Sequence, residues 1–336
     1  MKDPDSIKIS ILTATCNRID SLPRLYESLE KQAYPVWEWI VADDGSDDGT
    51  IDYISQITGS ASFTITLLSS PRRLGKTVQE NALVEHSSGD YCLFCDSDDY
   101  LTERALGLFI DILRLHYSAY SLFPQIIATD VVKLADYNPL QDLNVVNIPH
   151  SLQYMDYFRF RELRPGDSCL LLSREIYKSV KFPEVDFVVH ENAAWFHLFS
   201  KTPFVYLPYT TKVMGYRPED SVTHARNMMY TFGSAYALLH TTHLQESDPR
   251  YSLSFFKQVS RLVTFLRWSF HSNLLPLKLW NNIWLRLFDL IPVPLKILLL
   301  LPAFSLYIYD LLTKRCVNTQ VLFIEASATS SRPSIR

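Results

Sequence analysis

The chain has 336 residues, 47% of them apolar, and its 32 Lys and Arg against 36 Asp and Glu give a net charge of −4. That length buries a large core and predicts one big domain with an appendage, or two domains, while the charge excludes an overall nucleic-acid footprint. The average hides an asymmetry: residues 249–316 carry nine Lys and Arg against Asp289 and Asp310, a local +7 that leaves −11 elsewhere. The five cysteines, Cys16, Cys92, Cys95, Cys169 and Cys316, are odd in number and scattered, as in a reducing compartment. The opening residues, Met1 to Ser6, do not read as a signal peptide, so a cytoplasmic protein is expected.

In chain order, Ile7 to Thr13 reads as a β-branched first strand, followed by a polar loop of Thr15, Cys16, Asn17 and Arg18. A helix follows, with Asp20 or Ser21 as N-cap, Pro23 in its first turn, and Leu22, Leu25 and Leu29 on one face. Val36 to Ala42 is a second strand, ending in the tight loop Asp43-Asp44-Gly45-Ser46-Asp47-Asp48-Gly49. Thr50 caps a helix that turns Ile51, Ile54 and Ile57 inward, and Phe63 to Leu68 is a third strand. Gly75 to His86 is helical, with Lys76 near its start and Val78, Ala82 and Leu83 inward.

A fourth strand, Tyr91 to Cys95, runs into three carboxylates within four positions, Asp96, Asp98 and Asp99. An apolar run of this kind suits a strand buried on both faces of a parallel sheet. Three acids at its end either form a solvated turn capping the helix from Thr102 to about His116, or hold a hard cation such as Mg²⁺ or Mn²⁺. Cys92-x-x-Cys95 lies within the strand, where residues three apart face opposite ways, so zinc is not expected there. The alternation of four strands and four helices predicts a doubly wound sheet with its ligand at the carboxyl ends of the strands. All three polar clusters fall at those ends.

The middle is less regular. Ile126 to Val132 and Ser168 to Ser173 read as strands, Arg174 to Val180 as a short helix, and residues 136–149 as a loop. Phe204 to Leu207 and Lys212 to Tyr216 are expected as two further strands, with a helix through Ala225 to Leu244. Beyond it, Phe255, Val259, Leu262, Val263, Leu266 and Phe270 recur at helical spacing. Residues 274–312 are strongly apolar, with Trp280, Trp284, Tyr307 and Tyr309, but prolines interrupt them. The longest charge-free run within them, Ile297 to Tyr309, falls short of the roughly 20 residues that span a bilayer. Basic residues with Trp and Leu at helical spacing suit helices lying in a membrane interface; a helical core subdomain or a dimer contact is the alternative. A disordered tail is expected over residues 321–336.

Four ordered pieces resemble the inverting glycosyltransferases of family 2, which have the GT-A fold. They are Ser10 to Arg18, Trp39 to Thr50, Arg73-x-Gly75 through Asn81-Ala82, and Ser88-Gly89-Asp90-Tyr91 leading into Asp96-Ser97-Asp98-Asp99. The resemblance is close over residues 7–100 and looser to about residue 224. It implies a mixed α/β sheet flanked by helices: a GT-A domain over 1–224, with a nucleotide-binding half (1–100) and an acceptor half (101–224). A helical, basic and aromatic region over 225–320 follows, expected to lie on the inner face of the cell membrane.

The resemblance further implies that Thr13, Thr15, Asn17, Asp43, Asp44, Lys76 and Asp96 face a nucleotide, usually uridine, and that Asp96 and Asp98 hold Mn²⁺ or Mg²⁺. Inversion needs a carboxylate base. Where family members carry Glu-Asp at the start of a helix, this chain has His190-Glu191-Asn192. Asn192 cannot accept a proton, which leaves Glu191, with Asp167 the next candidate; the competing reading makes Glu191 a first-turn helix acid. Arg217 and His224 are candidate phosphate or metal contacts. The implied partners are a nucleotide-sugar donor and a lipid-linked saccharide acceptor of surface-polysaccharide synthesis, with no nucleic acid; the sequence is compatible with an oligomer. A polyprenyl-phosphate sugar synthase and a non-catalytic nucleotide-sugar-binding scaffold are the alternatives.

Overall fold

Why the first hundred residues fold as they do is visible in β1 (Ile9–Thr15) and β2 (Trp37–Asp43). In β2 every residue is buried, and in β1 all but Ala14. Strands covered on both faces need largely apolar side chains at odd and even positions alike, and these sequences supply them, with Ser10, Thr13 and Glu38 the buried polar residues before the carboxyl ends. They run parallel to each other, to β3 (Thr64–Ser69) and to β4 (Tyr91–Phe94), in the order β3-β2-β1-β4. The connections are α1 (Leu22–Glu30), α2 (Thr50–Thr58) and α3 (Lys76–His86). The computed structural model describes residues 2–138, 153–155, 167–179, 182, 202, 204–215, 254–271, 292–312 and 334–335.

Helix α1 buries Leu22, Leu25 and Leu29, and α2 buries Ile54 and Ile57, as their spacing predicts. Helix α3 departs from expectation. Ala82 and Leu83 are buried but Val78 is only half-buried, and polar Thr77, Gln79 and Glu80 are buried instead. Polar side chains on the inner face of a helix need partners, and they mark where the sheet turns from core to site.

After β4 come β5 (Tyr100–Leu101), α4 (Ala105–Tyr120) and β6 (Ile126–Lys133). Further on lie β7 (Gln153–Met155), β8 (Ser168–Ser173), α5 (Arg174–Lys178) and β9 (Phe204–Met214). Strand β8 is antiparallel to both β4 and β6, β9 is parallel to β6, and β5 and β7 flank β9 antiparallel. The sheet is therefore mixed, as a GT-A fold requires. The two strands expected over 204–216 are one continuous strand. The Pro208-Tyr209 pair reads as a break, but the pairing of β9 with β6 absorbs it through register shifts at Thr129/Asp130 and Asp130/Val131. Proline lacks the N–H a ladder needs and is tolerated at such irregularities.

The chain divides into two compact units. The first comprises Met1–Phe182, Leu198–Arg217 and Thr329–Arg336, and the second Pro183–His197 and Pro218–Ala328. Within the first, Ser334–Ile335 of the tail expected to be disordered form β10, antiparallel to β3. Within the second, α6 (Phe255–His271) buries Gln258, Leu262 and Leu266 at four-residue spacing, and packs against α8 (Leu300–Leu312), which buries Ala303. Helix α7 (Val293–Leu298) precedes α8. Among the described residues no helix is long and apolar enough to cross a membrane.

Candidate active site

The site is built at the carboxyl ends of β1, β2 and β4. The pairing puts Thr15 opposite Asp43 and Leu12 opposite Phe94, so the three polar loops emerge side by side. They are then laced together. Asp44 N–H donates to Thr15 O at 2.8 Å, and Cys95 N–H to Leu12 O at 3.0 Å. Thr13 Oγ1 accepts from Trp39 Nε1 at 3.0 Å and donates to Cys95 O at 2.9 Å. Its hydroxyl is spent inside the sheet, so Thr13 shapes the site from beneath.

Asn17 takes a left-handed backbone (φ 54°) and pairs its amide with Asp47: Nδ2 donates to Asp47 Oδ1 at 2.9 Å, and Asp47 N–H returns to Asn17 Oδ1 at 3.0 Å. Thr15 Oγ1 is buried and has no hydrogen-bond partner among the described residues; the same holds for Thr77 Oγ1 and Gln79 Oε1. A buried polar atom left unpaired costs about 1–3 kcal/mol. Such a cost is accepted where a polar ligand can repay it.

The two acids of the second loop have different surroundings. Asp44 accepts from Leu74 N–H (2.7 Å), Gly75 N–H (3.0 Å) and Gln79 Nε2 (2.7 Å), and so pins the segment before α3. Asp43 accepts from Ser46 N–H at 2.9 Å and from the Ser46 hydroxyl. Burial pushes the Asp43 carboxyl up, against the opposing pull of Ser46. Gly45, at φ +72°, has to be glycine, since a Cβ there would sit 2.7 Å from the Arg72 carbonyl carbon.

The acid loop after β4 alternates. Cys95, Ser97 and Asp99 are buried, whereas Asp96 and Asp98 are half-buried. Lys76 Nζ lies 3.0 Å from Asp96 Oδ1 and 3.6 Å from Glu80 Oε1. Lys212 Nζ, from β9, lies 2.9 Å from Asp99 Oδ2 and 4.0 Å from Asp96 Oδ2. The Lys76 charge holds the Asp96 carboxyl well below the usual carboxylate range, against burial and with help from Lys212. Burial drives Asp99 the other way, with Lys212 opposing. For Lys212 burial favours the neutral amine, but Asp99 and Asp96 outweigh it and raise its pKa well above the lysine range.

The sequence-predicted residues Thr13, Thr15, Asn17, Asp43, Asp44, Lys76, Asp96 and Asp98 thus converge on one end of the sheet. Glu191, Asn192, Arg217 and His224 lie outside the described residues; Asp167 is exposed just before β8. Sequence reasoning missed Lys212, Gln79 and Arg24. A lone lysine inside the apolar run Phe204 to Met214 was the available signal for the first.

The family model for glycosyl transferase family 2 matches residues 10–179, half of the chain. The chain is a family 2 glycosyltransferase. It is similar to the putative teichuronic acid biosynthesis glycosyltransferase TuaG of Bacillus subtilis, with 26% identity over 198 residues, 57% of this chain and 72% of TuaG. It is also similar to WfaP of Escherichia coli, with 26% identity over 193 residues, 57% of this chain and 70% of WfaP. WfaP is named as a UDP-Glc:alpha-D-GlcNAc-diphosphoundecaprenol beta-1,3-glucosyltransferase. Among solved structures, residues 1–349 of Staphylococcus aureus TarS in complex with UDP-GlcNAc share the GT-A fold. The TM-score is 0.54 at 16% identity, over 90% of this chain and 81% of that one.

Proposed function

We propose that this glycosyltransferase moves a sugar, with inversion, from a UDP-linked donor to a lipid-linked saccharide in surface-polysaccharide synthesis. The observation that carries the reading is the acid loop. Asp96 and Asp98 alternate outward at the carboxyl end of β4, beside the loops of β1 and β2, where an open α/β sheet takes its ligand. In this reading the nucleoside lies along Thr15, Asn17 and Asp43, and the diphosphate lies toward Lys76 and Asp96. The printed names of WfaP and of the TarS complex support a uridine nucleotide, and that of WfaP supports a diphospholipid acceptor.

The donor set fits a divalent ion. Asp96 and Asp98 are hard oxygen ligands two residues apart, and the side chain of Asp96 is 48% exposed. Among the described residues no group of three or more His, Cys, Asp or Glu is arranged around a metal position. Asp96 and Asp98 would therefore hold Mn²⁺ or Mg²⁺ together with phosphate oxygens of the donor. When bound, the ion supplies charge neutralisation for the departing diphosphate. Glu191 takes the proton of the acceptor hydroxyl as that oxygen attacks the anomeric carbon and the bond to the diphosphate breaks.

The second unit provides the lipid contact in this reading. Ile297, Leu298, Leu301, Phe304, Ile308 and Tyr309 are exposed, while the inner face of α8 packs on α6. A helix apolar on both faces requires a second apolar surface. The test is a panel of nucleotide sugars with Mn²⁺, each offered with GlcNAc-diphospho-undecaprenol and scored for nucleoside diphosphate release and product. Turnover with a UDP-sugar, lost in Glu191→Gln, is expected. Full transfer by Glu191→Gln would remove Glu191 as base, and turnover only with polyprenyl phosphate as acceptor would move the enzyme to the synthase class.

A further inference from the structure

The third acid of the loop, Asp99, is built into the protein differently from the other two. Its side chain is 9% exposed, and that of its partner Lys212 is 10% exposed. Besides the 2.9 Å contact with Lys212, Asp99 Oδ1 accepts from Gly215 N–H at 3.2 Å. Lys212 lies near the end of β9 and Gly215 just beyond it, and β9 pairs with β5 immediately after the loop: Leu101 stands opposite Lys212 and Tyr100 opposite Val213.

The opposite side of the loop is held from α1. Ser21 Oγ donates to Ser97 O at 2.8 Å and Arg24 Nη2 to Asp98 O at 2.6 Å, with the Arg24 guanidinium 5.1 Å from the centre of the Tyr100 ring. The two sides meet at Gly215. A Cβ there would lie 2.0 Å from both Arg24 Nη2 and Asp98 O, so only glycine lets β9 approach this closely.

We propose that Lys212 is a positioning residue of the transfer site. With Gly215 it fastens Asp99 inward to the end of β9, and so fixes the alternation that leaves Asp96 and Asp98 on the open side of the loop. The inference rests on the donor-binding reading above. The physics is that of a buried ion pair, whose desolvation makes it a poor source of stability but a strong constraint on geometry. Asp99 is then the fastener of the loop and no ligand of the donor. Lys212 fixes the direction of its neighbours' carboxylates without touching substrate.

The test uses the full chain and three variants, Lys212→Met, Asp99→Asn and Lys212→Met/Asp99→Asn. Lys212→Met strands a buried carboxylate and is expected to lower Tm; the double variant removes both charges and is expected to regain most of that loss. Two readouts separate positioning from mere stability. One is amide exchange of the segment 96–101 in the ligand-free protein. The other is the Kd for UDP in the presence of Mn²⁺.

Positioning predicts at least tenfold faster exchange and at least tenfold weaker UDP binding in the double variant despite its recovered Tm. Recovered Tm with both values within twofold of wild type would overturn it. Should the double variant not fold, Asp99→Asn decides the matter: Lys212 and Gly215 meet different carboxylate oxygens, and an amide keeps only one of them, turning an NH2 group toward the other partner. At least threefold shifts in exchange and Kd support the fastener, and none refutes it. A wild-type chain that binds no nucleoside diphosphate contradicts the donor-site reading instead, and the exchange measurement still judges Lys212.

Discussion

Two clusters of charge lie at opposite ends of the same parallel strands, and they are built to opposite rules. At the amino ends, Glu38 is met by Lys8 Nζ (2.6 Å), Ser10 Oγ (2.6 Å), Ser88 N–H (2.8 Å) and the Ser88 hydroxyl. Burial works against the Glu38 charge, but these donors outweigh it and hold the carboxyl below its usual range. One acid faces one lysine, its acceptor capacity is filled, and nothing is left to bind.

At the carboxyl ends, Asp96 and Asp99 pair with Lys76 and Lys212, Glu80 also draws on Lys76, and Asp98 adds a further carboxylate to the same loop. Negative charge is in excess there and Asp96 is half exposed. The closed cluster is structural; the open one is short of positive charge, which a divalent ion would supply under the proposed function. The difference shows how to tell a buried acid that braces a fold from one that serves chemistry: the accounting of partners, more than burial itself, separates them.

The largest effect expected is at the open end. Asp98→Ala should cost about a thousandfold in turnover, the scale at which removing a stabilising group on a developing charge is felt, with little change in Tm. Steady-state kinetics alongside a thermal melt checks both halves. Gly215→Ala comes next: its Cβ forces Arg24 or the Asp98 carbonyl aside, an overpacking cost of about 1–3 kcal/mol read by urea denaturation. At the closed end, Glu38→Gln should cost about 1 kcal/mol of stability and leave kcat and KM within twofold of wild type. A kinetic defect there would erase the distinction between the two ends.

The smallest effect concerns pH. Because the folded-state pKa of Glu38 lies below its ordinary 4.5, its contribution is complete above that value and is lost as pH falls through the folded pKa. Asp96, held below its ordinary 3.8 by Lys76, follows the same sign. The Tm gap between wild type and Glu38→Gln should therefore narrow below about pH 4.5. A gap that stays constant to pH 3 would mean that Glu38 acts by shape alone.

Much of this was legible in the sequence where one physical rule dominates. Doubly buried strands have to be largely apolar, so β1, β2 and β4 and the loops at their ends stand out, as do the inward faces of α1 and α2. Legibility fell where tertiary partners decide. The buried face of α3 is partly polar because Gln79 reaches Asp44 and Ser70, which no local period encodes. Strand β9 survives its Pro208 because β6 slips register opposite it. The role of Lys212 depends on a pairing between positions 101 and 212 that sequence spacing does not reveal.

The most direct test of the central claim is calorimetric titration of UDP, GDP and dTDP into the full chain with Mn²⁺, repeated on Asp98→Ala. Saturable binding of UDP to the wild type and at least tenfold weaker binding to the variant are expected. Equal affinity in the two proteins, or no saturable binding of any of the three nucleotides, would contradict that claim.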